Sequence, residues 1–242
     1  MTDPAPYQRV LAVDTSSMVQ SVAVLDGDLV LTERTLKTRA GHSGALLAAI
    51  HAALGDVRVA PDDLDLLVCG AGPGSFTGLR IGLACLKAIA FARSLPLVTV
   101  SSLEALARGA LTSPGLIAPI FDARKGELYV GLYRAHAGQL QAALSDRALP
   151  PEGVAEAILA ERGSDEPVTL MGSGLRRHGA TLSERLRPEV AALQTLGAGF
   201  THVRASHLGA LARARTRPAD VPPLDTLEPN YQRASDAELN IR

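Results

Sequence analysis

Three short segments of this 242-residue chain combine residue types that can do phosphate, metal or acid–base chemistry. The first is Asp14-Thr15-Ser16. A carboxylate there can hold a divalent ion, and the adjoining hydroxyls can donate to phosphate oxygens. The second is GAGPGSFTG, residues 70–78, with Gly72, Gly74 and Ser75 at its centre. Glycines permit close backbone approach, and a helix leaving such a loop offers unpaired N–H groups to an anion. The loop has neither GxGxxG nor the GK[ST] of a Walker motif. It therefore reads either as a phosphate cradle or as a tight strand-to-helix turn, just as Asp14 reads either as an ion ligand or as a strand-end cap. The third segment is Asp122 in DARKG, where an Asp in a turn is commonplace. The six histidines, His42, His51, His136, His178, His202 and His207, form neither HxxxH nor HExxH. Cys69 and Cys85 lie in apolar runs without CxxC spacing and read as buried free thiols of a reducing compartment.

The elements that position these residues follow from periodicity. Residues 9–15 (RVLAVDT), 20–25 (QSVAVL) and 29–37 read as a three-stranded meander with a turn at Asp26-Gly27, so Asp14 ends the first strand. Residues 41–54 read as a helix with Leu46, Leu47, Ile50 and Leu54 on one apolar face. A strand at 65–69 enters the glycine-rich loop, a helix at 79–92 leaves it, and a strand at 97–100 runs into a helix starting SLEALA. Strands at 116–121 and 127–134 flank DARKG. A linker rich in Ala, Pro and Glu follows, then a strand at 168–171, Gly172-Ser173-Gly174 opening a helix, and a late helix at 206–215. Both halves begin with a strand that ends in Asp before a hairpin, and the order of elements predicts α/β layers in two lobes.

The helix at 79–92 is apolar around most of its circumference, with only Arg80 and Lys87 marking a polar stripe. One sheet face does not account for that much apolar surface. Small residues at four-residue spacing, Ala84, Ala88 and Ala92, permit close helix approach. The surface is covered either within the monomer or by a partner that meets Leu46, Leu47, Ile50, Leu54, Arg80, Leu83 and Lys87. Arg204, Arg213, Arg215 and Arg217 give the late helix a basic face, either solvated or in contact with an RNA backbone.

Hydrophobic residues make up 47% and charged residues 20% of the chain, the profile of a globular protein. The 24 Lys and Arg nearly balance the 25 Asp and Glu, leaving a net charge of −1 that gives no electrostatic reason for strong nucleic-acid binding or a polybasic membrane anchor. No signal peptide and no membrane-length apolar run is visible, so the chain is expected in the cytoplasm.

LAVDTSS, HSGALLAAI, GAGPGSFTGLRIGLACLKAIAFARSLPLVTVSSLEALA, FDARKGELYVGLY and EPNYQRASDAEL are similar, in order, to TsaB proteins. These are subunits of the bacterial machinery that makes threonylcarbamoyladenosine in tRNA. The resemblance covers nearly the whole chain and implies an actin-like ATPase fold (ASKHA, ribonuclease H-like) with two lobes. On that basis residues 1–104 form the N-terminal lobe, 105–217 the C-terminal lobe, and 218–242 a tail packing back on the N-terminal lobe. The resemblance also implies a paralogue, TsaD, that carries out the chemistry. TsaD-like proteins carry NHxEGH after the strand that follows the glycine loop, and here the two metal histidines fall on Ser102 and Leu106. Leu106 cannot coordinate a cation and Ser102 is a poor lone ligand, so no metal site and no catalytic residue are expected. Asp14-Thr15-Ser16 lacks the glycine of the DxGT phosphate loop, and Gly172-Ser173-Gly174 resembles the adenosine turn without GGxxxN. Hence no nucleotide is expected on this chain alone, though ATP or ADP is expected at the assembled complex. The partners implied are a TsaD-like paralogue, a TsaE-like ATPase, a second copy of the chain when it is alone, and tRNA through the complex. The alternatives are a self-sufficient actin-like ATPase or kinase and a glycoprotease-like peptidase.

Overall fold

The computed structural model describes residues 7–38 and 44–232. The chain opens with β1 (Arg9–Asp14), β2 (Val19–Asp26) and β3 (Leu29–Lys37), paired antiparallel in sequence order. Then come α1 (Leu46–Asp56), β4 (Leu66–Gly72), α2 (Phe76–Arg93) and β5 (Leu97–Ser101). β4 lies parallel to β1 and β5 parallel to β4, which gives a five-stranded sheet of order β3-β2-β1-β4-β5.

After the short α3 (Ser102–Ala107) the pattern repeats. β6 (Leu116–Arg124), β7 (Glu127–His136) and β8 (Gln139–Leu149) form a second antiparallel meander. α4 (Pro151–Glu161), β9 (Val168–Met171), α5 (Leu175–Leu186) and β10 (Leu193–Thr195) follow, and the second sheet has the order β10-β9-β6-β7-β8. Strand order and polarity match the first sheet element for element, with β9 parallel to β6 and β10 parallel to β9. This duplicated ribonuclease H-like topology is the actin-like fold.

The chain divides into two compact units. One contains the residues up to Ala105 together with Val203–Asn230, and the other contains Leu106–His202. This corrects the boundary expected from sequence, because α6 (Ala205–Arg215) returns to the first sheet instead of completing the second unit. The physical reason is a set of polar anchors. Ser21 Oγ accepts from Ala205 N–H at 2.9 Å, and Glu33 accepts from Ser206 N–H at 2.9 Å and from the Arg204 guanidinium. No side chain of α6 itself caps this helix, so Glu33 from β3 supplies the anion that its N-terminus favours. Burial alone would push the Glu33 carboxyl up, but the Ser206 N–H and Arg204 outweigh it and hold the group below its ordinary range.

The stretch read as a linker contains β8 and α4. β8 is an edge strand whose exposure does not alternate cleanly, and α4 starts on a proline at its first position. α2 begins three residues earlier than expected because Ser75 caps it, accepting from Gly78 N–H at 3.3 Å. Residues 41–43, including His42, lie outside the described residues.

One face of the first sheet, with Leu11, Val13, Val22 and Val24, packs on α1 and α2. Leu46, Ile50 and Leu54 of α1 and Leu83 of α2 are buried in this core. That corrects the expectation that these four meet a partner: they cover the sheet of their own chain. What the two helices leave outward is Leu47, which is 61% exposed, together with Arg80, Ala84, Ala88 and Phe91, the last 83% exposed. Lys87 is half-buried on the flank of this stripe.

Candidate functional site

β1 delivers Asp14 to the end of the first sheet, and β4 brings Gly70 and Gly72 beside it. Asp14 is 1% exposed, and its carboxylate is engaged by protein donors. Oδ1 accepts from Ser16 Oγ–H at 2.7 Å and Ser16 N–H at 3.1 Å. Oδ2 accepts from Ser102 Oγ–H at 2.7 Å. Ser102, itself fully buried at the start of α3, accepts from Gly72 N–H at 3.2 Å. One serine therefore ties β1, the glycine loop and α3 together.

The two candidate phosphate loops close on each other. Ser75 N–H donates to Ser16 C=O at 2.7 Å. A Cβ on Gly74 would come within 2.1 Å of that same carbonyl oxygen, and a Cβ on Gly70 within 2.1 Å of Asp14 Oδ2. These glycines serve close packing, since the space beside them is filled by the chain itself. Thr15 Oγ–H donates to Gly78 C=O at 2.8 Å, holding the elbow against the first turn of α2.

Asp14, Thr15, Ser16, Gly72, Gly74 and Ser75 converge in a packed junction. A phosphate cradle needs free N–H groups facing open space, and an ion site needs carboxylate oxygens turned toward it. Here Gly74 has no room for a methyl group and Asp14 is held by serines. In the sequence Ser102 stands out only as the place of a missing metal ligand. Its bond to Asp14 spans 88 residues, and no local pattern announces it.

The remaining candidates resolve locally. Leu106 is buried. Asp122 is exposed and accepts from Arg124 N–H at 2.7 Å, a turn cap. In Gly172-Ser173-Gly174, Gly174 N–H donates to Ile120 C=O at 3.0 Å and the turn packs on β6. Among the described residues no group of three or more His, Cys, Asp and Glu is arranged to hold a metal ion. Burial, then the nearby Asp14 and Cys85, push the Cys69 thiol far up, and burial also raises half-buried Cys85, so neither is a ready thiolate. The basic face expected on α6 is largely neutralised. Arg204 pairs with Glu33, Arg213 with Asp28, and Arg215 with Glu104 at 2.6 Å. Among the described residues no helix is long and apolar enough to cross a membrane.

The family model of TsaD, tRNA N6-adenosine threonylcarbamoyltransferase, matches residues 36–237. The tRNA threonylcarbamoyladenosine biosynthesis protein TsaB of Bacillus subtilis is 35% identical over 231 residues, covering 95% of this chain and 96% of that protein. TsaB of Escherichia coli is 34% identical over 169 residues, covering 69% and 71%. Among solved structures, YeaZ from Pseudomonas aeruginosa superimposes with a TM-score of 0.77 at 30% identity, covering 93% of this chain and 99% of that one. With its duplicated actin-like topology and a relative 35% identical over nearly its whole length, the chain belongs to the TsaB family, within the superfamily described by the TsaD model.

Proposed function

We propose that this chain is a non-catalytic cytoplasmic subunit in threonylcarbamoyl transfer to the tRNA adenosine next to the anticodon. In this reading it pairs with a TsaD-like paralogue that performs the chemistry, and a TsaE-like ATPase docks on the assembled pair. Alone, the chain self-associates through the same surface, and tRNA is met mainly through the complex. The name shared by its relatives supplies the pathway. The observation that carries the non-catalytic part is the junction in which Ser16 and Ser102 occupy the Asp14 carboxylate and Gly74 abuts Ser16. An acid spent on internal hydrogen bonds in a loop without free volume is a poor ion ligand. ATP or ADP then belongs to the assembled complex and not to this chain.

The pairing surface proposed is the outward side of α1 and α2, with Leu47 and Phe91 as apolar anchors. Two large side chains this exposed on adjoining helices, flanked by alanines, suit helix-on-helix docking. The test is calorimetric titration of the isolated chain with Mg–ATP, alongside co-purification with the cognate TsaD-family subunit. Co-purification without nucleotide binding supports the subunit reading. Saturable binding and hydrolysis lost in Asp14→Ala would replace it with an autonomous ATPase.

A further inference from the structure

The arginines Arg204, Arg213 and Arg215 on and beside α6 are paired with acids of the first unit. A group of arginines without such partners stands at one end of the second sheet. Gly174 N–H donates to Ile120 C=O at 3.0 Å, and a Cβ on Gly174 would come within 2.8 Å of Ile120 Cγ2 and 3.0 Å of Leu128 Cδ2. α5 therefore starts against the tip of the β6–β7 hairpin, where Asp122 pairs with Leu128 and Arg124 with Glu127. Arg124 at that tip and Arg176 and Arg177 in the first turn of α5 are all exposed. Among the described residues, none of these three guanidinium groups has an ion-pair or hydrogen-bond partner. Asp122 and Glu127 offset part of the charge, but Asp122 is turned back on its own strand, where it accepts from Arg124 N–H at 2.7 Å.

Local stability does not call for cations here. The positive end of a helix dipole favours acids, yet the first turn of α5 has none and carries two arginines. Arg124 and Lys125 both have positive φ, 64° and 49°, where Gly, Asn or Asp is the low-cost choice. Two local preferences are overridden at the same end of one unit, each time by a cation. The patch also has no apolar anchor, because every exposed large hydrophobic residue among those described lies outside residues 106–202. A protein interface centres on such anchors, whereas a phosphate backbone is held by charge and hydrogen bonds.

We propose that Arg124, Arg176 and Arg177 form a binding site for the phosphate backbone of RNA, through which this chain touches tRNA directly in the assembled complex, a reading that rests on the proposed role in tRNA modification for the identity of the polyanion. Each guanidinium offers a planar fork that matches two phosphate oxygens. The chain's net charge of −1 is no obstacle, since phosphates are met by the local cluster and not by the whole molecule. Backbone contacts of this kind position the tRNA without reading its bases.

The experiment compares wild type, Arg124→Gln/Arg176→Gln/Arg177→Gln and, as a control at the far end of α5, Arg187→Gln. Each is assembled with the cognate TsaD-family subunit, and affinity for labelled unmodified tRNA is followed by fluorescence anisotropy between about 50 and 200 mM salt. The triple variant should bind at least about tenfold more weakly, and its plot of log affinity against log salt should be shallower by about 2–3, the share of three phosphate contacts. Arg187→Gln should bind as wild type does. The triple variant's Tm should hold or rise, because the first turn of α5 loses unfavourably placed charge. In the modification reaction it should raise KM for tRNA and leave kcat unchanged. Unchanged affinity and salt slope in the triple variant overturn the inference, as does an equal loss in Arg187→Gln. Loss of pairing with the TsaD-family subunit while tRNA affinity is kept would make the patch a protein site and overturn it too. If the wild-type complex binds tRNA through these arginines but forms no threonylcarbamoyladenosine, the site stands and the proposed role fails.

Discussion

Replacing Ser102 with Ala removes one hydroxyl and two hydrogen bonds, both wholly inside the protein. Asp14 Oδ2 loses a donor at 2.7 Å and Gly72 N–H loses an acceptor at 3.2 Å, while Asp14 is 1% exposed and Ser102 fully buried. A hydrogen bond to a charged group contributes about 1.5–3 kcal/mol, and an orphaned buried N–H costs about 1–3 kcal/mol. With partial relaxation the variant should lose about 3 kcal/mol. For a chain of this length that lowers Tm by roughly 10 °C. The assay is a thermal melt followed by far-ultraviolet circular dichroism, with hydrogen exchange to localise the loss to the first unit. Mg–ATP is added in parallel. A ligand at a hundred times its Kd would stabilise the folded state by about 2.7 kcal/mol, easily seen on the same curve. The account expects a large fall for Ser102→Ala and no response to Mg–ATP. A Ser102→Ala chain melting within a degree or two of wild type, or a wild-type Tm raised by Mg–ATP through Asp14, would refute the view of this junction as a structural lock.

Three further outcomes follow from the same geometry. Gly74→Ala drives a methyl into the backbone carbonyl and the Cβ of Ser16, and should break the Ser75–Ser16 bond and destabilise the chain by about 2–4 kcal/mol in a urea titration. Leu47→Asp, at an exposed position, should shift folding stability by no more than about 0.5 kcal/mol yet abolish partner co-purification, whereas Ile50→Asp buries a carboxylate in the core and should unfold the chain. Glu33 is depressed below its ordinary value near 4.5, so its contribution is present above that pH and disappears as pH falls through the lower folded value. Glu33→Gln should therefore cost about 1 kcal/mol at pH 7 by urea unfolding, and the gap to wild type should close towards pH 3.

Much of the first unit was legible because its signals are local. β1 to β3 alternate or run apolar between clear turn residues, and α1 and α2 carry helical periodicity. The missing elements gave weaker signals. β8 is an exposed edge strand, and β10 has three residues. Burial was the least legible quantity. Leu46 and Leu47 are adjacent and identical in kind, yet one is 1% and the other 61% exposed, because only the sheet decides which way α1 faces. The residues of the junction stand out by type, but the meeting of Ser102 and Asp14 across 88 residues does not. The return of α6 to the first sheet depended in the same way on Glu33, far from the helix it caps.

The most direct test of the central claim is reconstitution of threonylcarbamoyladenosine formation on tRNA from the purified cognate components, with product measured by mass spectrometry of the digested nucleosides. The account predicts product only when this chain is present. It further predicts full activity with a conservative surface variant such as Arg187→Lys and none with Leu47→Asp, while the chain incubated without its TsaD-family partner makes nothing. Undiminished product in its absence, or product made by this chain without the TsaD-family subunit, would contradict the account.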